Sequence, residues 1–492
     1  MNNNILKDLE PSSVFSYFEE ICSIPHGSRD TKRISDYLVS FAKEHDLEYV
    51  QDDSNNVIIK KNGQLGGEES SPVIIQGHID MVCEKVDGCD IDFENDSLRL
   101  MIEDGYVTAD GTTLGGDDGI AVAYALALLD SATIPHPPLE CVFTVDEEIG
   151  MLGATDLDMS GLKGRKFLNI DSEEEGHLLV SCAGGATVTI KVPLTRRGAQ
   201  GKRYRLTVEG LVGGHSGVEI NKGRANASIV LGNVIKELSL ADDSLKLISV
   251  CGGLKDNAIT VKSEAVFVSQ KIDILKEAVS DMEQELKEIF KNTDPDIKLI
   301  LEDYTDEGGL CNSDVTSLYP IDELINLQFI MCFGSMPYGV KAMSEDIKGL
   351  VQTSLNLGIL KTTADEISIS YSVRSSVKSE KDALIEELKL LAKSIGATYE
   401  VAGDYPAWEY KKDSQLRETM TTIYEEMFGK PMLVEAIHAG VECGIFSDRL
   451  DGLDAVSFGP DILDIHTPKE RLSIESTERT WRFIQRVLSE LI

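Results

Sequence analysis

The sequence predicts an α/β protein whose mostly parallel sheet is split by an inserted α+β domain. Three observations carry this. Up to residue 186, apolar runs of strand length alternate with helical patterns, as a parallel sheet covered on both faces requires. Between residues 187 and 399 the rhythm changes to strand, helix, strand, strand, helix, strand, the ferredoxin-like order, and it occurs twice in tandem. From residue 400 to 492 a helix, a strand and a final helix supply the remaining layers of the first domain.

Taken in chain order, Ser12 or Ser13 can cap a helix through "VFSYFEEIC", and Asp30 or Thr31 another through "RISDYLVSFAKEH". "NVIIKK" and "SPVIIQGH" are strands, "DGIAVAYALALL" a buried helix, and "LECVFTV" and "KFLNID" two further strands. The first inserted unit, about 187–305, runs from "RLTVEGL" through the helix "ANASIVLGNVIKEL" and the strands "LKLISVCGG" and "AITVKSEAVFVS" to the helix "LKEAVSDMEQELKEIF" and the strand "DIKLILEDY". The second unit, about 320–399, reads "INLQFIMCF" as its first strand and "SEDIKGLVQ" as its first helix. It continues with the strands "TSLNLGILKTT" and "EISISYSV", the helix "EKDALIEELKLLAKSIG" and the strand "TYEVAGDY". The returning part has the helix "SQLRETMTTIYEEMFG", the strand "AVSFGP" and the helix "STERTWRFIQRVLSELI".

Composition narrows the function classes. The 492 residues suffice for several domains, and a 42% hydrophobic content is that of a globular chain. Lys and Arg number 47 against 84 Asp and Glu, and the net charge of -37 repels phosphate backbones and anionic membranes. Neither nucleic acid nor membrane is therefore expected as a partner. "MNNNILKDLEPSS" lacks the basic and apolar regions of a secretory signal, and "IAVAYALALL" is about half a bilayer span, so a cytoplasmic location is expected. Nine cysteines, with no Cys-x-x-Cys pair, predict reduced core thiols, with Cys443 packing rather than acting as a nucleophile. A bound metal must then be held by histidines and carboxylates.

Several motifs offer such ligands. In "QGHIDMV", His78 and Asp80 point to the same face of an extended chain, where a carboxylate can orient a metal-binding imidazole. Alone, the pair is more often a hydrogen-bonded strand end. In "TLGGDDGIA", Asp117 and Asp118 stand where a helix begins, which an ordinary N-cap also explains. "TVDEEIG" puts Asp146, Glu147 and Glu148 at the end of a buried strand; the two glutamates diverge, so one can bind a metal and the other hold a proton near its water. A solvated strand exit is the competing reading. "FLNIDSEEEG" adds Asp171, with Ser172 to Glu175 expected at the surface, and "DIHTPKERLS" adds His466.

His78, Asp117, Glu148, Asp171 and His466 all fall at the carboxyl end of a strand or just beyond, the edge where open α/β sheets build sites. Five such ligands suit two divalent ions with one bridging carboxylate. His26, His45, His136 and His177 are expected to be structural or exposed.

These residues resemble a family. "GHIDMV", "GGDDGIA", "TVDEEIGMLGA", "NIDSEEEG" and "HTP" occur in the order and spacing of the dinuclear zinc peptidases related to carboxypeptidase G2 and aminoacylase (M20). The finer similarity is to the bacterial aminoacyl-histidine dipeptidases, or cytosolic nonspecific dipeptidases and carnosinases. It spans essentially the whole chain, including "GGHSG", "SVRSS" and "HAGVECG". The resemblance implies a zinc-peptidase-type catalytic domain (1–186 and 400–492) and a lid (187–399) that can support a homodimer. It implies two divalent ions, zinc first with cobalt or manganese as alternatives. His78 and Asp171 would hold one, Glu148 and His466 the other, and Asp117 both.

Further roles follow from the same resemblance. Asp80 would orient His78, Glu147 would be the general base, and His215 would stabilise the oxyanion. Arg374 and Asn257 would grip the carboxylate end of the substrate, and Glu442 its amino group. The family's Arg-Asn-Ala-Ile-Pro stretch reads "KDNAIT" here, with Asp256 and Thr260, a departure that bears on the carboxylate grip. The implied activity is hydrolysis of short peptides with a free amino terminus, Xaa-His dipeptides foremost. An N-acyl-amino-acid amidohydrolase or a tripeptidase would use the same site, and a non-catalytic metal-binding protein would dispense with Glu147.

Overall fold

The computed structural model describes residues 5–305 and 309–492. The chain divides into two compact units: Met1–Cys182 with Trp408–Ala436 and Val441–Ile492, and Ala183–Ala407 with Ile437–Gly440.

The first unit is built on an eight-stranded sheet in the order Glu48–Gln51, Val57–Lys61, Leu139–Thr144, Val73–His78, Lys166–Asn169, Asp454–Ser457, His177–Cys182, Leu433–Ile437. Its four central strands, from Leu139–Thr144 to Asp454–Ser457, are parallel, while Val57–Lys61 and His177–Cys182 flank them antiparallel. The register pairs His78 with Thr144, Gln76 with Asn169 and Ser457 with Asn169, so the carboxyl ends of the parallel strands lie nearly level. Every residue of Val73–His78 and Leu139–Thr144 is buried, which explains why both read as largely apolar runs, interrupted only by Gln76, His78, Glu140 and Thr144 among polar residues.

The helix Gly116–Asp130 is buried from Gly116 to Leu129, as a helix apolar on all sides must be. It packs against the helix Ser12–Cys22 and against the strand ending at His78. Gly77 permits that approach: a Cβ there would lie 2.5 Å from Asp118 Oδ2 and 2.6 Å from the Cβ of Ala121. Tyr124 anchors the other side, stacking on Trp481 at 5.9 Å and donating to the Thr477 carbonyl at 2.9 Å.

A small four-stranded sheet orders Ile462–Leu463, Arg471–Ser473, Tyr106–Ala109 and Leu100–Glu103. The first two form a hairpin, and its tip carries both His466 and Glu470.

The second unit holds a sheet ordered Lys298–Asp303, Lys202–Glu209, Ser263–Ser269, Lys246–Gly252, Val351–Thr362, Glu366–Ser375, Gly184–Pro193, Thr398–Tyr405, with Gly339–Met343 paired to Val351–Thr362. Both ferredoxin-like units are visible in this order, but they are nested rather than tandem. The first strand of the outer unit is Gly184–Pro193, and the inner unit, Lys202–Asp303, interrupts the outer one before its first helix, Glu323–Phe333.

"INLQFIMCF" is therefore a helix, contrary to the expected strand. Asp322 caps it by accepting from the Leu324 N–H, and Asn326, Phe329, Ile330 and Phe333 are buried at helical spacing. "SEDIKGLVQ" is not a helix: Gly349 sits at φ 85°, and the strand starts at Val351.

The cysteine expectation also needs correction, because Cys251 and Cys311 form a disulfide, with Cα atoms 5.6 Å apart across 60 residues of sequence. Folding alone brings them together, so no spacing pattern announces the pair. The other seven are free, Cys443 among the buried ones. Among the described residues no helix is long and apolar enough to cross a membrane.

Candidate metal centre

Four segments of the first unit converge beyond the carboxyl ends of the parallel strands. His78 ends its strand, Glu147 and Glu148 lie in the turn after Thr144, Asp171 follows Asn169, and Asp117 opens the buried helix. His466 comes from the hairpin tip at φ 60°, an uncommon conformation for a residue other than glycine.

His78 Nε2 lies 3.1 Å from Asp117 Oδ1 and 3.6 Å from Asp171 Oδ1. His466 Nε2 lies 3.2 Å from Asp117 Oδ2 and 2.9 Å from Glu148 Oε1. Asp117 thus stands between the two imidazoles, one carboxylate oxygen toward each. His78 Nδ1 is 2.9 Å from the main-chain carbonyl of Asp80 and 3.5 Å from its carboxylate. The nearer partner of the imidazole is therefore the carbonyl. The Asp80 carboxylate accepts from the Ser28 hydroxyl at 2.8 Å and from the Glu147 N–H at 3.0 Å. Asp146, at φ 54°, accepts the Arg29 N–H at 2.6 Å and so shapes the turn that presents the glutamates.

Burial and mutual repulsion dominate the electrostatics. Burial pushes Glu147 and Asp118 well above the usual carboxylate range, and Asp171 upward as well, with neighbouring carboxylates adding to each. Burial also opposes the charged forms of Asp117 and His78. Hydrogen bonds to His466 and His78 overcome it at Asp117, which is held low, and bonds to Asp117, Asp171 and Asp80 overcome it at His78, which is raised. Hydrogen bonds to Asp117 and Glu148 raise His466 to about 10.

The cluster is thus an excess of buried negative charge that draws protons onto its histidines. Divalent cations meet the same demand with the imidazoles neutral, and the donor set fits them. His78, Asp117 and Glu148 offer ligand atoms within 4.8 Å of one another, as do His78, Asp118 and Asp171. Imidazole and carboxylate donors without thiolate accept zinc, manganese or cobalt.

Several neighbours have roles that the sequence did not assign. Asp118 accepts the His78 main-chain N–H at 3.1 Å. Glu470, four residues past His466, receives the N–H groups of the turn before Asp117. Within the segment expected at the surface, Ser172 is buried and Glu175 pairs with Arg479 at 2.7 Å, leaving only Glu174 exposed. Glu173 is half-buried, and burial lifts it to about 8.

Glu442 is fully buried, its Oε2 accepting from Gln76 at 2.5 Å and Thr144 at 2.7 Å, and burial lifts its carboxyl to about 8. Its Oε1 has no hydrogen-bond partner among the described residues. Of the remaining histidines, His26 and His136 are buried, while His45 and His177 are partly exposed and paired with carboxylates.

His215, Asn257 and Arg374 belong to the second unit. His215 pairs in register with Ala258, and the Ser216 N–H donates to the Asn257 carbonyl at 2.8 Å, which sets His215 and Asn257 side by side. Burial and the Arg374 charge lower His215. Arg374 donates to the Tyr405 hydroxyl at 3.2 Å, while its Nε is buried without a partner among the described residues.

His438, inside "HAGVECG", received no role from the sequence. It is buried against Ser354, Oγ to Nε2 2.8 Å, and burial and Arg374 hold it down to about 3. Thr260 donates to the carbonyls of Leu357 and Gly358, and Asp256 accepts from Thr187.

Comparison with known proteins adds a lineage to this geometry. Residues 74–490 match the model of peptidase family M20/M25/M40. The chain is 34% identical to the cytosol non-specific dipeptidase of Escherichia coli over 99% of each chain. Its structure superposes on the aminoacylhistidine dipeptidase of Vibrio alginolyticus with a TM-score of 0.89 and 33% identity, covering 99% of this chain and 98% of that one. The aminopeptidase PepT of Bacillus cereus shares the fold at a TM-score of 0.56 and 16% identity, covering 98% and 99% of the two chains.

Proposed function

This chain belongs to peptidase family M20/M25/M40, and on that premise we propose that it is a metal-dependent dipeptidase acting on short peptides with a free amino terminus, aminoacyl-histidine dipeptides foremost. The observation that carries this reading is Asp117 set between His78 and His466, with Glu148 and Asp171 completing the donor set and Glu147 adjacent. His78 and Asp171 would hold one divalent cation, Glu148 and His466 the other, and Asp117 both, with zinc first among the candidates. When bound, such a pair supplies Lewis acidity and an acidified water at neutral pH.

The chain's own residues do the rest. Glu147, its proton affinity raised by burial, takes the proton of the attacking water and returns it to the leaving amine. Asp80 holds the backbone of Glu147 and the ring of His78 in place while this happens. Burial keeps His215 uncharged at neutral pH as a neutral donor for the oxyanion. The Nε of Arg374, unpartnered among the described residues, and Asn257, beside His215, suit a substrate carboxylate, and the orphaned Oε1 of Glu442 suits an ammonium group. Ala183–Ala407 would serve as lid and as the surface of a homodimer, and the cytosolic E. coli relative favours a cytoplasmic location.

The test is a panel of Xaa-His dipeptides, other dipeptides, tripeptides and N-acetyl amino acids, run on metal-free protein and on protein supplied with zinc, manganese or cobalt. Dipeptide turnover that requires the metal is the expected result. Preferential cleavage of N-acetyl amino acids or of tripeptides would replace the dipeptidase reading. Solution mass decides the dimer.

A further inference from the structure

We propose that Glu470 is a positioning residue that locks the Asp117 turn and the His466 loop together, so that ligands from two distant segments keep one geometry. The proposal rests on the metal-centre reading above. The Glu470 carboxylate is 2% exposed and accepts four main-chain N–H groups, from Leu114 at 2.9 Å, Gly115 at 3.2 Å, Gly116 at 2.8 Å and Asp117 at 3.3 Å. Those of Gly116 and Asp117 are donors that the start of a helix leaves unsatisfied, and a side chain immediately before the helix ordinarily takes such donors; those of Leu114 and Gly115 belong to the turn that leads into it.

No such side chain fits here. Gly115 occupies the cap at φ 69°, and a Cβ on it would meet Met81 Sδ at 2.9 Å. Asp117 and Asp118, which the sequence offers as caps, have non-helical backbone angles and turn their carboxylates to the histidines and to the His78 backbone. The cap therefore comes from a residue 354 positions away from Gly116.

Glu470 is tied equally to the loop that carries His466. Its N–H donates to the Thr467 carbonyl at 3.1 Å, and its carbonyl accepts from the Thr108 hydroxyl at 3.0 Å, which belongs to the strand paired with Arg471–Ser473. One carboxylate thus joins the segment of Asp117 to the segment of His466, whose side chains meet at 3.2 Å. The joint matters because His466 has an uncommon backbone conformation and a side chain left 45% exposed, held by its contacts to Asp117 and Glu148.

The experiment compares wild type, Glu470→Gln and Glu470→Asp as full-length, metal-free proteins. Cobalt(II) is titrated into each while its visible d–d absorption is recorded, and thermal unfolding of the metal-free proteins is measured in parallel. An amide at 470 turns a donor toward N–H donors. Glu470→Gln is therefore expected to weaken cobalt binding by about 10–100-fold, the scale for residues that orient ligands, and to alter the absorption spectrum. Glu470→Asp, which keeps the charge, is expected to recover part of both.

A Gln variant with unchanged cobalt affinity and spectrum overturns the proposal, even if its metal-free form melts earlier, since Glu470 would then only cap a helix. If the Gln variant does not fold, the Asp variant carries the same comparison. If wild type itself binds no cobalt, the metal-centre reading fails and this inference falls with it.

Discussion

Asp80 Oδ1 accepts the main-chain N–H of Glu147 at 3.0 Å, while the main-chain carbonyl of Asp80 lies 2.9 Å from His78 Nδ1. One residue therefore aims the candidate base with its side chain and a candidate ligand with its backbone. Asp80→Asn should spare the carbonyl contact and disturb the glutamate. We expect a lower kcat with both metals retained, read by steady-state kinetics beside metal analysis. Loss of a metal with kcat per metal preserved would show that the carboxylate serves His78 instead.

Adjacent glutamates should give opposite outcomes. Glu147→Gln is expected to cut kcat by about 10²–10⁴-fold, the usual worth of a general base, with metal content intact. Glu148→Gln removes a charge that faces His466 at 2.9 Å, and should lose metal first and activity as a result. Metal content and turnover measured on both variants separate the roles, and a Glu147 variant near wild-type rate removes it as base.

His438 makes a prediction about acid. Its folded value is lowered to about 3 by burial and Arg374, against an unfolded value of ~6.5, so the unfolded chain binds the extra proton between those limits. Its contribution to stability is present above pH ~6.5 and is lost as pH falls from there toward about 3. His438→Gln should therefore flatten the fall in melting temperature between pH 6.5 and 4 relative to wild type. Parallel curves would contradict it.

Gly77→Ala tests the close passage of helix over strand. The added methyl would stand 2.5 Å from Asp118 Oδ2 and 2.6 Å from Ala121 Cβ, one residue before His78. A loss of about 1–3 kcal/mol in urea unfolding is expected, together with weaker metal binding. Unchanged stability would mean that the helix can shift freely.

Much of the candidate metal centre was legible because its candidate ligands sit at the ends of apolar strands, where local pattern and position coincide. His78, Glu148 and Asp171 each follow such a run, and the parallel register levels their ends. What eluded the sequence depends on contacts between distant segments. Glu470 looks like one more charge in "PKERLS" until the fold presses it against Leu114–Asp117. Cys251 and Cys311 carry no spacing signal, and Glu175 reads as surface until Arg479 reaches it. The misread segment, Ile325–Phe333, is apolar almost throughout, so neither strand nor helix periodicity stands out, and Asp322 was the decisive clue.

The nesting of the second unit has a consequence for how the protein is made. Gly184–Pro193 leaves the ribosome early, yet its partners in the sheet are Glu366–Ser375 and Thr398–Tyr405; Thr189 and Ser370, which share a hydrogen bond, are 181 residues apart. During synthesis the inner unit has all its strands long before the outer one can close around it. The first unit waits longer still, since Asp454–Ser457 and His466 follow the whole of Ala183–Ala407 in the chain. A nascent chain thus carries open strand edges and separated candidate ligands through much of its synthesis, and the candidate metal centre can assemble only after the second unit has been made.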